Sequence, residues 1–281
     1  MHSLLALFTL QMAVAVPSAS AAAEFIPVRP FNAPSGSDFA SQVASLSDRE
    51  RYQATLDQIL SGNVPDFLRV LVPVALSRPS DVSAGASQVT VFVTPDYLSV
   101  GSDTDFLPVP LDFVTAAMVA NTIGFALPTT RIVDAIYEAA ALRLPPIPLP
   151  AGPYMRSMAY ILEHRTRIEA EAARAGRRVG ELVVGTKKDL VLSARLRTAQ
   201  GREAIYGWHR LDGQPIQPLS LVHGDTYADY SHGIRLVSDT MLVDGQPHSY
   251  LAALADPLLA PLLSREGPIP DAVASMHPKP R

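Results

Sequence analysis

The chain of 281 residues contains no cysteine. This absence excludes a thiol nucleophile, a thiolate metal site, an iron–sulfur cluster and disulfide bonds. Positive charge is scarce too, since 23 Lys and Arg stand against 27 Asp and Glu, for a formal net charge of -4. Proteins that neutralise nucleic-acid phosphates need a basic surface, so the composition predicts no nucleic-acid partner.

Long hydrophobic runs are also missing. No segment reaches the ~18 uninterrupted apolar residues of a membrane span, so we expect no transmembrane anchor. At the N-terminus, an apolar segment ending at Val16 is followed by Pro17 and by the small residues Ser18 to Ala23. This pattern resembles a secretory signal peptide over residues 1–23 and predicts a secreted or periplasmic protein.

What the chain does contain is the composition of a globular protein, with 48% hydrophobic and 18% charged residues. Ser47 and Glu50 form a capping-box pattern that predicts a helix from about Asp48 to Leu60. Apolar periodicity predicts further helices over 113–122 and 130–142, and β-branched residues predict a hairpin of Gln88–Thr94 with Tyr97–Gly101. Residues 24–143 therefore read as a helix-rich part with one β-hairpin.

A proline-rich segment, residues 144–153, separates this part from the rest of the chain. Five of its ten residues are proline, which excludes a helix or central strand and predicts a surface strap or a domain linker. After it, residues 154–281 predict one helix, 157–175, and then short strands. The predicted strands are 181–184, 190–196, 203–209, 216–223 and 231–237. The prediction is an α+β fold, with a helical N-terminal half packed on a mainly antiparallel C-terminal β-sheet.

The densest group of reactive residue types lies between His223 and Arg235. This stretch carries two of the seven histidines, together with two aspartates, two tyrosines, a serine and an arginine. Titratable groups that cluster near strand ends are typical of catalytic sites, although the same residue types also build tight loops. We take the catalytic candidates to be His223, Asp225, Tyr230, Ser231, His232 and Arg235.

Two mechanisms follow if strands 216–223 and 231–237 are antiparallel neighbours, because His223 then lies near Ser231 and His232. Adjacent strand residues point to opposite faces, so His223 partners only one of them. Pairing with Ser231 gives a nucleophile and base for acyl transfer. Pairing with His232, with Asp225 added, gives two histidines and a carboxylate that suit a divalent metal such as zinc. A third reading uses Tyr227 or Tyr230 with a histidine as acid and base.

Four other residues are candidates for substrate binding. Trp208, the only tryptophan, and His209 resemble a stacking wall, Tyr227 lies within the cluster, and Lys188 precedes a strand and suits an anionic intermediate. In a plain hairpin His209 lies opposite Pro215 or Ile216, more than ~20 Å from His223, so it ranks below His223 and His232.

One short motif resembles a known family. Ser231-His232-Gly233-Ile234-Arg235-Leu236 is similar to the active-site signature of L,D-transpeptidases, in which a cysteine follows Ser-His-Gly. Only His232, Gly233 and Arg235 carry over. Without that cysteine the resemblance does not imply the activity.

The sequence favours an exported hydrolase that acts on a polymer or cell-envelope component, by a Ser/His or a His/Asp metal-assisted mechanism. The alternative is a non-catalytic exported module that binds a glycan or a partner through Trp208 and the tyrosines. The expected partner is a polymeric or small-molecule substrate.

Overall fold

The computed structural model describes residues 26–78 and 88–277, so the predicted signal peptide lies outside the described residues. The α-helices are α1 (Gly36–Val43), α2 (Asp48–Leu60), α3 (Phe113–Thr122), α4 (Thr130–Ala139), α5 (Met158–Arg174), α6 (Tyr250–Ala255), α7 (Ala260–Leu263) and α8 (Ala272–Ser275). Short 3₁₀ helices span Asp66–Arg69 and Ala194–Arg197.

The strands are β1 (Val72–Ser77), β2 (Gln88–Val93), β3 (Ser99–Gly101), β4 (Phe106–Pro108), β5 (Phe125–Ala126), β6 (Leu142–Arg143), β7 (Val183–Val184), β8 (Lys188–Leu190), β9 (Ile205–His209), β10 (Pro215–Ser220), β11 (His232–Gly233), β12 (Val237–Ser238), β13 (Thr240–Val243) and β14 (Gln246–Ser249).

The predicted helices are present, and local signals explain where they begin. Ser47 caps α2 through a capping box with Glu50, as the sequence predicts. The Ser157 side chain accepts a hydrogen bond from the backbone N–H of Tyr160 and begins α5. Among the described residues, no helix has both the length and the apolar character needed to cross a membrane.

The largest sheet has the order β14-β13-β2-β12-β5, and β1 also pairs with β2. The pairings within it are antiparallel. Strands β1, β2 and β5 come from before the proline-rich segment, whereas β12, β13 and β14 come from after it. The α+β class is therefore confirmed, but the description of a helical N-terminal half fits only loosely because that half supplies three strands of this sheet.

The predicted hairpin of Gln88–Thr94 with Tyr97–Gly101 is wrong. Strand β2 pairs with β1, in a register that places Val72 opposite Val93, and β3 pairs with β4. The segment between β2 and β3 turns towards the C-terminal part instead, because the backbone N–H groups of Thr94 and Leu98 donate to the carbonyls of Leu236 and Ile234. Those long-range hydrogen bonds leave no sequence signal.

A second sheet, in the order β10-β9-β8-β11, carries most of the candidate residues. Strands β9 and β10 form the expected hairpin, with His209 opposite Pro215. The expected antiparallel pairing of 216–223 with 231–237 is wrong, since β11 pairs in parallel with β8 and places His232 opposite Lys188. Strands β9 and β8 lie between β10 and β11, so β10 and β11 are not neighbours in this sheet.

The core is a large cluster of apolar side chains that draws on both parts of the chain, from Ile26 to Met276, with two smaller clusters beside it. The proline-rich segment lies against it. Leu149 is buried, its backbone N–H donates to the Tyr230 hydroxyl at 2.7 Å, and the Tyr160 hydroxyl of α5 donates to the Pro150 carbonyl at 2.9 Å. These bonds attach the segment to residues of the later part of the chain.

Candidate functional site

Strand β8 presents different side chains to its two faces because successive strand residues alternate. Lys188 points to the side occupied by Asp229, whereas Asp189 and Lys187, the residue just before the strand, contact other groups. All three side chains are buried. Charged side chains are rarely buried without partners, and buried titratable groups are frequent at functional sites. The partners of each of the three side chains are therefore described in turn below.

Asp229 is the centre of the first group. Its Oδ1 accepts hydrogen bonds from the backbone N–H and the hydroxyl of Ser231. Its Oδ2 accepts from Lys188 Nζ at 3.1 Å and from the Tyr227 hydroxyl at 3.2 Å. Burial alone would raise the pKa of Asp229, but hydrogen bonding to His232 and the charge of Lys188 hold it well below its ordinary value.

His232 joins Asp229 to a second carboxylate, Glu203. The backbone N–H of Asp229 donates to Nδ1 of His232 at 3.0 Å, and Nε2 lies 2.7 Å from Glu203 Oε1. Burial raises the pKa of Glu203, whose side chain is fully enclosed. We call Lys188, Glu203, Asp229, Ser231 and His232 the buried network.

His223 and Tyr227 lie over this network, and we call them the surface pair. Their rings stack with centroids 4.3 Å apart and planes 12° apart, and the His223 ring centre is 6.0 Å from that of His232. Both side chains are only half-buried. Burial lowers the pKa of His223, helped by Lys188, whereas burial and the Asp229 charge raise the pKa of Tyr227 to about 12.

A cavity of about 540 Å³ between α2 and α3, which we call the groove, lies beside the loop that carries Tyr227. Thr226 and Arg156 line it, and the Arg156 guanidinium carbon lies 5.2 Å from the centre of the Tyr227 ring. Its size is that of a small-molecule site. Thr226 of the candidate loop and residues of α2 and α3 therefore line one opening.

The opposite face of β8 carries a second charged group that the sequence analysis missed. Lys187 Nζ lies 3.2 Å from Nδ1 of His164 and donates to the Tyr230 carbonyl, and burial lowers the Lys187 pKa to about 7. Asp189 accepts from the Tyr97 hydroxyl at 3.1 Å, and burial raises its pKa to about 7. Alternation along Lys187-Lys188-Asp189 is the signal that could have separated the two faces.

Several of the predicted catalytic residues make hydrogen bonds or ring contacts within the folded protein. The Tyr230 hydroxyl bonds to the backbone of Leu149. The Arg235 guanidinium lies over the Tyr97 ring at 4.3 Å and donates to backbone carbonyls. Ser231 is buried and its hydroxyl donates to Asp229, so the arrangement expected of a Ser231–His223 nucleophile and base does not form.

Of the four predicted binding residues, two lie in the candidate site and two lie elsewhere. Tyr227 and Lys188 belong to the site. Trp208 is buried with φ 55° beside Gly207, and lies edge-on to His164 and Tyr230 instead of forming an exposed stacking wall. His209 Nε2 lies 2.8 Å from Asp134 and its ring stacks on Tyr137, in a separate cluster, as its hairpin position predicts.

The proposed metal ligands His223, Asp225 and His232 do not fit an ion. Across residues 26–78 and 88–277, no group of three or more His, Cys, Asp or Glu side chains could hold a metal. Both ring nitrogens of His232 are occupied, by Glu203 and by the Asp229 backbone, and Asp225 is held through its own backbone N–H to the Gly201 carbonyl.

Fold and site together define an α+β protein with a half-buried His–Tyr pair above an enclosed Lys–carboxylate–His network. Comparison with protein-family models, curated proteins and solved structures finds no match to this chain.

Proposed function

We propose that the protein is an exported hydrolase that acts on a polymer or cell-envelope component, with His223 and Tyr227 as its acid–base pair. The observation that carries the proposal is the surface pair itself. The His223 and Tyr227 rings stack beside a buried charged network, and Thr226, the residue next to Tyr227, lines a substrate-sized groove. The signal-like pattern of residues 1–23 supports export.

The two pKa shifts suit opposite roles. A lowered pKa keeps the His223 imidazole neutral at pH 7, so it can accept a proton. A pKa of about 12 keeps the Tyr227 hydroxyl protonated, so it can donate one. In hydrolysis, His223 takes a proton from the attacking water and Tyr227 gives its proton to the leaving group. Transfer of the His223 proton back to Tyr227 restores the enzyme.

The buried network positions this pair without contacting substrate. Asp229 accepts a hydrogen bond from the Tyr227 hydroxyl. This bond holds the Tyr227 ring, on which His223 stacks, in place. When Tyr227 turns its proton towards a leaving group, Lys188 and Ser231 keep Asp229 paired. Glu203 and the Asp229 backbone in turn orient His232, which lies beside both rings of the surface pair.

The test is turnover of cell-envelope polymers and model esters by the full chain, compared with His223→Gln and Tyr227→Phe. General acid–base catalysis contributes about 10²- to 10⁴-fold, so each variant is expected to lose that much of kcat/KM. His248→Gln is the matched control, because His248 is exposed on β14.

Equal turnover by all three variants and the wild type would contradict the assigned pair. Binding of a polymer without turnover would instead identify the protein as an exported binding module.

A further inference from the structure

We infer that Lys187 acts as a pH-sensitive latch, which holds the segment from Asp229 to His232 against α5 and releases it more often as the pH falls towards neutrality. We call this stretch the latched segment. The inference goes beyond the proposed function, because the attachment of the segment is a property of the folded chain and can be measured without turnover.

Lys187 joins three parts of the fold. It directly precedes β8, and its Nζ donates a hydrogen bond to the Tyr230 carbonyl of the latched segment. The same Nζ lies 3.2 Å from Nδ1 of His164 on α5. The His164 ring also lies edge-on to the Tyr230 ring, with centroids 4.9 Å apart. One amino group thus connects the strand, the helix and the loop.

Lys187 is buried without a carboxylate partner. Among the described residues, no hydrogen bond or ion pair joins its Nζ to an Asp or Glu side chain. The charge of Asp229 acts on Lys187, but that carboxylate accepts from Lys188 at 3.1 Å. Asp96 acts on it too, and accepts from Arg177 at 2.6 Å. Lys187 itself contacts only a carbonyl and a histidine ring that burial keeps neutral.

The other charged groups around Lys187 leave its charge uncompensated. Arg165 of α5 pairs with Glu169 at 2.6 Å. Arg235 donates to backbone carbonyls, and His209 contacts a carboxylate of α4. None of these contacts supplies a negative charge to Lys187.

The closed fold leaves little room to hydrate this charge. Lys187 is 3% exposed, and the two cavities that it lines have volumes of about 20 and 10 Å³, each enough for about one water molecule. Burial disfavours the ammonium form and lowers the Lys187 pKa from 10.5 to about 7. Release of the latched segment would open Nζ to water and restore the ordinary pKa, so protonation favours release.

Linkage gives the direction and the pH window. Between pH 7 and 10 the released state binds more protons than the latched state, so the equilibrium constant for release rises by up to about tenfold for each unit that the pH falls. Below pH 7 it levels off. The raised pKa of Asp189, about 7, and the lowered pKa of His164 act below this window. The raised pKa of His232 acts in the opposite direction, so a variant of Lys187 itself is needed.

The first experiment measures hydrogen exchange of the Tyr230 and His232 amides, which donate to the carbonyls of Met155 and Asp229. In the wild type their protection factors should rise by up to about tenfold per pH unit from pH 7 to 9. Lys187→Met removes the ionisable group and should lack this rise. Arg210→Met removes an exposed cation and should keep it.

Two outcomes of this experiment overturn the latch. One is the same pH dependence in Lys187→Met as in the wild type. The other is a Tyr230 protection factor equal to that of Val91, a buried residue of β2, at every pH. In that case the segment is released only when the whole protein unfolds.

A second measurement needs only the wild type. The chain has three lysines, so NMR of protein with ¹³C-labelled lysine can follow each Cε signal against pH. One signal is expected to titrate near pH 7, because burial lowers the Lys187 pKa to about 7, and to be missing from Lys187→Met. Titration of all three signals above pH 9 overturns the latch. Neither measurement depends on hydrolysis, so an inactive protein would contradict the proposed function and leave the latch standing.

Discussion

Asp229 makes hydrogen bonds with residues to which we assign different roles. Its carboxylate accepts hydrogen bonds from Ser231, Lys188 and Tyr227, while its backbone donates to His232. One acidic side chain thereby sets the position of the partly exposed Tyr227 and of the buried His232. A buried carboxylate is tolerated only when it is paired in this way, which explains the surrounding donors.

The residue-scale prediction concerns the pH dependence of kcat/KM. His223 must be neutral to act as a base, and burial places its folded pKa below the ordinary value of about 6.5. The value of kcat/KM should therefore be flat near pH 7 and fall as the pH drops through this lowered pKa. Steady-state kinetics from pH 4 to 8, with circular dichroism at each pH to establish folding, measures this. An acid limb centred above pH 7 would contradict the role of His223.

At the scale of elements, the site depends on the parallel pairing of β8 and β11. This pairing has only two residue pairs, His232 with Lys188 and Gly233 with Asp189. Gly233 allows the close approach. A Cβ at this position would lie 2.5 Å from Cδ1 of Tyr97 and 2.7 Å from Cβ of Lys187. The space beside the Gly233 Cα is therefore filled by Tyr97 and Lys187, and only a hydrogen atom fits there.

The element-scale prediction is that Gly233→Ala separates β11 from β8. Overpacking of this kind typically costs about 1–3 kcal/mol, so the free energy of unfolding in urea should fall by that amount. Gly224→Ala is the matched control, because the nearest atom to its added Cβ is the Gly201 carbonyl oxygen at 3.8 Å. It should change stability by less than ~0.5 kcal/mol. Equal effects of the two variants would show that the close packing at β11 is unimportant.

At the scale of the whole molecule, Arg235 connects separate sheets. One guanidinium nitrogen donates to the Thr94 carbonyl, just after β2 of the largest sheet, and another donates to the Val183 carbonyl in β7. The side chain is buried. The arginine assigned to catalysis from the sequence therefore has a structural environment, on the Tyr97 side of β8 and not among the groups that contact Asp229.

The whole-molecule prediction is that Arg235→Lys destabilises the fold without changing the chemistry. A single ammonium cannot keep the forked geometry, so one buried carbonyl loses its donor, at a cost of about 1–3 kcal/mol. Thermal and urea unfolding measure the loss, with Arg210→Lys, an exposed site, as control. The activity per folded molecule should match that of the wild type. A large fall in kcat at unchanged stability would instead return Arg235 to the catalytic set.

The sequence by itself determined the local elements and gave a candidate location for the site. Capping boxes and apolar periodicity act within a few residues, so α2 and α5 could be predicted. The density of titratable groups predicted a site in the loop from His223 to His232, where the Tyr227, Asp229, Ser231 and His232 side chains do lie together. The β9–β10 hairpin and the position of His209 followed from the same short-range reasoning.

Only the tertiary structure decided which of these groups meet. Folding brings Glu203 to His232 and Lys188 to Asp229, 29 and 41 residues apart, and it buries Ser231 while leaving His223 and Tyr227 partly exposed. Long-range pairing is set by the competition of all strands for partners, and no local pattern records its outcome. The chain therefore specifies its reactive residues locally, but their roles follow from the burial and charge that folding gives them.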